Sequence, residues 1–446
     1  MIIKEVQWIR QNKKKFSPGM VRMAMQWYRP VKFLPCFMQG TVRKVLQPVR
    51  RVPVIVQVAD ENDGVTMKTV ASGCKCKIGK NLPMLHSFSA KVTEKKLKSL
   101  AEHGKVTRIW HDTQMKAVLN IAVPAIGSNL LWDTGVTGKN VVVAVLDTGI
   151  YEHPDLKGRI IAFKDLVNKK TAPYDDNGHG THVAGDIASD GSQSGRQYRG
   201  PAPEAKLVGV KVLDKLGGGP LSTVIEGLQW CIDNKDRLKI RVINVSLGVE
   251  ASASYADDPA CLAVEEAWKA GIVVCVAAGN DGPGRHTIGS PGIDPLVITV
   301  GASDDEDTIA VADDKIADFS SRGPTIDDLT KPDILSPGTN IVSLRAPGAW
   351  LDKQNEGTKV DNNYVSFSGT SMASPVCCGV IAQMLQVDGT LTPDEIKKLL
   401  TSTAASLNMD PNMQGAGIIN AQKAVGQIKK KVTLPRANRM MMREKR

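Results

Sequence analysis

From Asn140 to about Val425 the sequence alternates between two textures, and this alternation restricts the fold more than any other feature. Short runs rich in Val and Ile (VVVAVLDTG, LVGVKVL, VINVSLG, IVVCVAAGN and LVITVGA) run into Gly, Asn or Asp. Between them lie stretches of helical character: GTHVAGDIAS, TVIEGLQWCIDN, CLAVEEAWKAG and GTSMASPVCCGVIAQMLQ. Strands that are apolar on both faces need cover on both faces, and parallel strands are joined by crossover helices. The pattern predicts an α/β fold, a mostly parallel central sheet with helices on both faces. Sites in such sheets form at the carboxyl ends of the strands. The polar residues of these runs fall there.

The segment ahead of this region has another texture. VPVIVQV, FSAKVT and VTRIWHD read as strands and EKKLKSLAEHG as a helix, with a loop around Gly64 and Gly73. The expected organisation is a basic arm (1–50), a small α+β domain (51–115), the α/β domain (116–428) and a basic tail (429–446). The net charge of +11 sits at the ends: residues 1–50 carry eleven Lys or Arg against Glu5, and 421–446 carry nine against Glu444. The middle is acidic. Such ends read as a solvated arm and tail. Aromatics are only 4% of the chain, and neither a phosphate-binding glycine loop nor a binding module occurs, so no specific nucleic-acid partner is expected.

Lys4, Glu5, Arg10 and Lys13 to Lys15 break every apolar run of the N-terminus, leaving no secretory core. No stretch reads as the roughly 18 apolar residues of a membrane span. The eight cysteines show no repeated CxxC pairing, which favours free thiols in a reducing compartment. The expected location is the cytoplasm.

Three motifs carry the chemistry. In VAVLDTGI, Asp147 follows a buried-strand run; alone it reads equally as a strand-end turn with Gly149. In DDNGHGTHVAG, His179 opens a helix between Gly178 and Gly180. His182 lies three residues on, either packed or, with Asp175 and Asp176, part of a metal set. In FSGTSMASPV, Ser371 stands at a helix start, where a serine is also a common cap. The ordered combination Asp, His, Ser is more specific than its parts. A serine hydroxyl needs a base to attack an amide, a histidine is basic enough near neutrality, and an aspartate orients it. Asn280 ends IVVCVAAGN, where its amide would donate to a developing oxyanion or make an Asn-Asp-Gly turn.

VAVLDTGI, NGHGTHVAG and SGTSMASP resemble the three signature blocks of the subtilisin-like serine proteases, the subtilases of peptidase family S8. APYDDNGHGTH and QYRGPAPEAKLVGVKVL, with the free cysteines, resemble the bacterial intracellular, AprX-type branch. The resemblance spans about Thr134 to Ala424. It implies a serine endopeptidase acting on polypeptides through an acyl-enzyme. Ser371 would be nucleophile, His179 general base, Asp147 its orienting acid, and Asn280 with the Ser371 N–H the oxyanion hole. It further implies substrate-backbone binding by Ser246, Leu247, Gly248, Ala278 and Gly279. Residues 51–115 resemble an inhibitory propeptide, cut off by the enzyme itself, or else form an accessory domain that stays. No cofactor is needed for the chemistry. A structural calcium is possible at Asp155, although Arg196 and Arg199 in the loop that would complete that site oppose it.

Overall fold

The structure, a computed structural model, describes residues 7–16, 20, 51–59, 63–82, 86–111 and 119–429. Most of the basic arm, with Cys36, and the basic tail from 430 onward lie outside the described residues. The chain divides into two compact units, Met1–Met115 and Lys116–Arg446.

In the first unit, strands β1 (Val52–Val58), β2 (Ile78–Leu82), β3 (Ser87–Val92) and β4 (Val106–His111) form an antiparallel sheet in the order β2-β3-β1-β4. Every second residue of β1 is buried, from Val52 to Val58. That alternation puts one face on the core and leaves the other half-exposed. The helix Glu94–Glu102 closes the core with Leu97, Leu100 and Ala101. The stretch read as a loop instead holds the helix Asp63–Gly73 and strand β2. Gly, Thr and Val give that helix weak intrinsic propensity, and burial of Met67, Val70 and Ala71 overrides it.

The second unit is built on β5 (Val142–Asp147), β6 (Ile160–Asp165), β7 (Lys206–Lys211), β8 (Ile240–Val245), β9 (Val273–Ala277), β10 (Ile298–Asp304), β11 (Lys315–Ile316) and β12 (Ile334–Pro337). The order is β11-β10-β9-β8-β5-β7-β6, with β12 also pairing β10. All pairs are parallel except β10 with β11. β5 and β9 are buried along their whole length, as two-sided cover requires. After β5 the chain builds first toward β7 and β6, then returns to the other side for β8, β9 and β10. The crevice of a doubly wound sheet opens where the order reverses, beside the carboxyl end of β5.

Two helices bring the remaining motifs to that crevice, His179–Ala188 and Thr370–Val387. The second is long and apolar enough in length and composition to cross a membrane, but most of it is buried in the core. A hairpin of β13 (Ile341–Leu344) and β14 (Tyr364–Phe367) packs beside them.

Ile243 lies fully buried in mid-sheet on β8. Ile243→Ala is expected to cost about 2–5 kcal/mol in stability, because little around a central strand can collapse into the cavity. Urea unfolding of the full chain, followed by tryptophan fluorescence, checks this.

Candidate active site

Asp147, the last residue of β5, is fully buried. A buried carboxylate needs partners. Its Oδ1 accepts from the Thr148 N–H at 2.7 Å and from His179 Nδ1 at 2.8 Å, and its Oδ2 lies 3.0 Å from the same nitrogen. His179 is the first residue of its helix, after Gly178 in the left-handed region at φ +107. The approach is close: a Cβ on Gly180 would sit 2.2 Å from the Gly149 carbonyl oxygen and 3.1 Å from Asp147. Only glycine fits there. His179 stays 23% exposed, so the ring faces the crevice while its carboxylate does not. Burial works against the imidazolium, but the charge and hydrogen bond of Asp147 outweigh it and raise the histidine's pKa.

Asp175 organises this turn, a role the sequence reading missed. Its Oδ1 accepts from the Thr148 hydroxyl, Asn177 N–H and Gly178 N–H, and its Oδ2 from the Thr181 N–H and hydroxyl. Asp176 pairs at 2.7 Å with the buried Lys211, which also donates to the carbonyls of Thr148 and Leu213. His182 is buried against Asp186, with the Phe367 ring stacked at 4.7 Å. The metal alternative for the two histidines therefore fails, since each carboxylate near them already serves protein donors.

Ser371 is the second residue of the helix Thr370–Val387, which follows Gly369. Its hydroxyl donates to the Ser246 carbonyl at 3.3 Å, and the Ser246 hydroxyl donates back to the Ser371 carbonyl at 2.9 Å. Among the described residues the Ser371 hydroxyl bonds to Ser246 rather than to His179. Beneath, Asn244 links both elements through Ser246 and Ser374. Asn280 is fixed by a second residue the sequence reading missed, Thr370. The Gly279 N–H donates to Thr370 Oγ1, whose hydroxyl donates to Asn280 Oδ1 at 3.0 Å; the Thr370 N–H reaches the same oxygen at 2.9 Å. With Oδ1 so engaged, the amide Nδ2 is the end left to donate. The only trace of Thr370 in the sequence is its place beside Ser371.

These elements converge from the ends of β5, β8 and β9 and from two helix N-termini. The model of the subtilase family, peptidase S8, matches residues 138–417, which contain all of them. The chain belongs to the subtilase family. It is 46% identical over 434 residues to the serine protease AprX of Bacillus subtilis, covering 94% of this chain and 98% of that one. Subtilisin E of the same organism is 35% identical, with 80% of this chain and 85% of that one covered. Among solved structures, fervidolysin from Fervidobacterium pennivorans, a keratinolytic enzyme related to subtilisin, superposes with a TM-score of 0.56 at 25% identity. That match covers 84% of this chain and 61% of fervidolysin. The protein is thus a subtilisin-like serine protease, and subtilases use no cofactor in the chemical step.

Against that background two expectations need correction. Asp155 does not fit a calcium ion. Its Oδ1 accepts from the Ser192 hydroxyl and Gln193 N–H, and its Oδ2 from the Tyr364 hydroxyl, while the Ser189 hydroxyl lies between Oδ2 at 2.9 Å and the Tyr198 carbonyl at 2.6 Å. Protein donors thus engage both oxygens of the carboxylate. The cation beside it is the guanidinium of Arg159, bound to the carbonyls of Asp155 and Ala188. Arg199 lies over the Trp132 ring at 4.2 Å. Second, Ala278 and Gly279 already bond through their main-chain groups, to Val300 and Gly289 and to Thr370 and Ser321. Through these bonds they brace Asn280. Ser246 is likewise buried against Ser371, whereas Leu247 is half-exposed and Gly248 exposed.

A largely apolar cavity of 410 Å³ opens beside His179, walled by Leu213, Leu221, Val224, Leu247 and Trp350. Trp350 and Leu351, which no motif marked, are held there by N–H bonds to the carbonyls of Asp176 and Asn177, both 2.9 Å. Replacing Thr370 by valine would keep the side-chain volume and free the Asn280 amide to turn. Thr370→Val is expected to lower kcat about tenfold with little change in KM, the loss of roughly one good hydrogen bond in the transition state. Steady-state kinetics on a peptide anilide measure this.

Proposed function

We propose that this protease hydrolyses peptide bonds through an acyl-enzyme, with Ser371 as nucleophile, His179 as base and then acid, and Asp147 as orienting carboxylate. The observation that carries this reading is the clamp of Asp147 on His179 Nδ1, which leaves Nε2 as the nitrogen free to act as base. In the attack Ser371 Oγ exchanges the Ser246 carbonyl for Nε2 as its hydrogen-bond partner. As Oγ attacks the substrate carbonyl carbon, its proton passes to Nε2. The imidazolium so formed is stabilised by the buried charge of Asp147. The carbonyl oxygen becomes an oxyanion, facing Asn280 Nδ2 and the Ser371 N–H at the positive end of its helix. Collapse expels the amine, which takes the proton from His179. A water molecule, deprotonated by the same nitrogen, then releases the acid product.

The open backbone at Leu247 and Gly248 and the apolar cavity support extended polypeptide substrates with little demand on sequence, hence broad specificity. The unit before residue 116 serves as a propeptide removed by the enzyme itself. Among the described residues seven cysteines are free and six of them are buried, which supports a reducing location, the cytoplasm.

Wild type is expected to take up a serine-directed fluorophosphonate and cleave casein, and Ser371→Ala to do neither. By intact mass, wild type loses its N-terminal unit while Ser371→Ala keeps it. An unlabelled, inactive wild type would sink the enzyme reading; a unit retained in active wild type would sink self-processing alone.

The pH profile gives an independent check. The base works only when neutral, so kcat/KM falls as pH drops through the raised pKa of His179, above its ordinary 6.5. Asp147→Asn removes the charge that raises it. The midpoint then shifts down, and the rate falls by about 10⁴ as the wrong tautomer is favoured.

A further inference from the structure

Away from the triad, the end of β10 carries polar atoms with nothing to bond. The chain turns after β10 and returns as β11, with Ser303 opposite Ile316 and Asp304 opposite Lys315. Asp305 and Asp314 lie immediately beyond the last of these pairs, and the charge of Asp305 acts on Asp314. The two are interior, at 1% and 5% exposure. Ser303, fully buried, shares the face of Asp305 because side chains two apart on a strand point the same way. Ser303 Oγ, Asp305 Oδ2 and both carboxylate oxygens of Asp314 have no hydrogen-bond partner. The other oxygen of Asp305 accepts only from the Asp307 N–H, at 3.2 Å. Among the described residues no ion pair answers them: Lys315 is exposed and turned to Glu306 at 2.9 Å. Burial first, then neighbouring acidic charge, pushes both carboxyls up to about 7.

Two carboxylates buried side by side without a cation are not a stable arrangement in water near neutral pH. We propose that Asp305 and Asp314 hold a hard divalent cation of the calcium class at the base of the β10–β11 hairpin, with Ser303 Oγ as a further ligand. The free atoms are all oxygens, which suits calcium and not the metals that prefer nitrogen or sulfur. Among the described residues no three His, Cys, Asp or Glu side chains converge as a metal set. The rest of the shell must then come from main-chain carbonyls and water, which calcium accepts at six to eight positions.

The site bears on catalysis through the chain that follows β11. Ala317 donates to the Ala302 carbonyl, and Phe319 and Ser321 grip the loop around Asn280. Gly282 N–H donates to the Phe319 carbonyl at 2.9 Å, Ser321 N–H to the Gly279 carbonyl at 3.0 Å, and Asp281 N–H to Ser321 Oγ at 3.1 Å. A cation that pins the hairpin pins this brace. The effect on turnover rests on the proposed role of Asn280; the binding itself does not.

The test uses the full chain carrying Ser371→Ala, so that self-digestion cannot intrude, stripped of metal and titrated with calcium chloride by calorimetry and thermal unfolding at pH 8. Calcium is expected to bind and raise Tm by several degrees, since it binds only the folded state. Asp305→Asn and Asp314→Asn each lose one equivalent of calcium and that rise. Asp313→Asn, an exposed neighbour bonded to Thr308, keeps both. Without calcium, Asp314→Asn melts no lower than its parent, because like-charge repulsion is gone; this separates a lost site from a damaged fold. Equal calcium binding in parent and both variants, or a parent with no response to calcium, would overturn the site. In the Ser371 enzyme, calcium withdrawal lowers kcat several-fold with KM unchanged. Binding without that fall overturns the coupling to Asn280 and leaves the site standing.

Discussion

One buried negative charge governs the architecture of the site. Asp147 has no contact with water, and a carboxylate in that position is tolerated only when donors surround it. The strand end supplies one through Thr148, and the first turn of a helix supplies the other through His179. The second would not arrive without the glycines that let helix and strand come within touching distance. The polar web around Asp175 then has a clear purpose. It is the frame that keeps the turn from relaxing away from the charge.

The same logic repeats at the other elements. Lys211, buried with no exposure, ties the carbonyls after β5 and β7 to Asp176, so the two strands flanking the crevice share one ammonium. Asn244 does for β8 and the serine helix what Lys211 does for β5 and β7. The result is a crevice whose walls are held by short, buried or part-buried polar links beside a largely apolar cavity. Preorganised dipoles act most strongly on developing charge in a site of that kind, because nothing has to reorient as the charge appears.

The α/β class and the motif residues were legible because each depends on local pattern: β-branched runs for β5 and β9, glycine for a close approach, order along the chain for the triad. What escaped was whatever depends on convergence in space. Asp175 looks like any acid in a turn until its five donors are counted. Thr370 is hidden by the more conspicuous Ser371. Ala278 and Gly279 lie beside Asn280 in sequence, yet their hydrogen bonds run inward. The helix Asp63–Gly73 was lost for a different reason, since its residues favour a helix only once the sheet is there to bury them. The burial of the acids in the β10–β11 hairpin leaves no mark in a run of aspartates.

Arg159 occupies the neighbourhood where a bound ion had been expected, with its guanidinium on two main-chain carbonyls. An ion held by coordination has a dissociation constant and leaves when its concentration falls. A guanidinium tethered to the backbone has neither. This corner of the fold therefore carries its positive charge at a fixed effective concentration, indifferent to chelators and to the composition of the surrounding fluid.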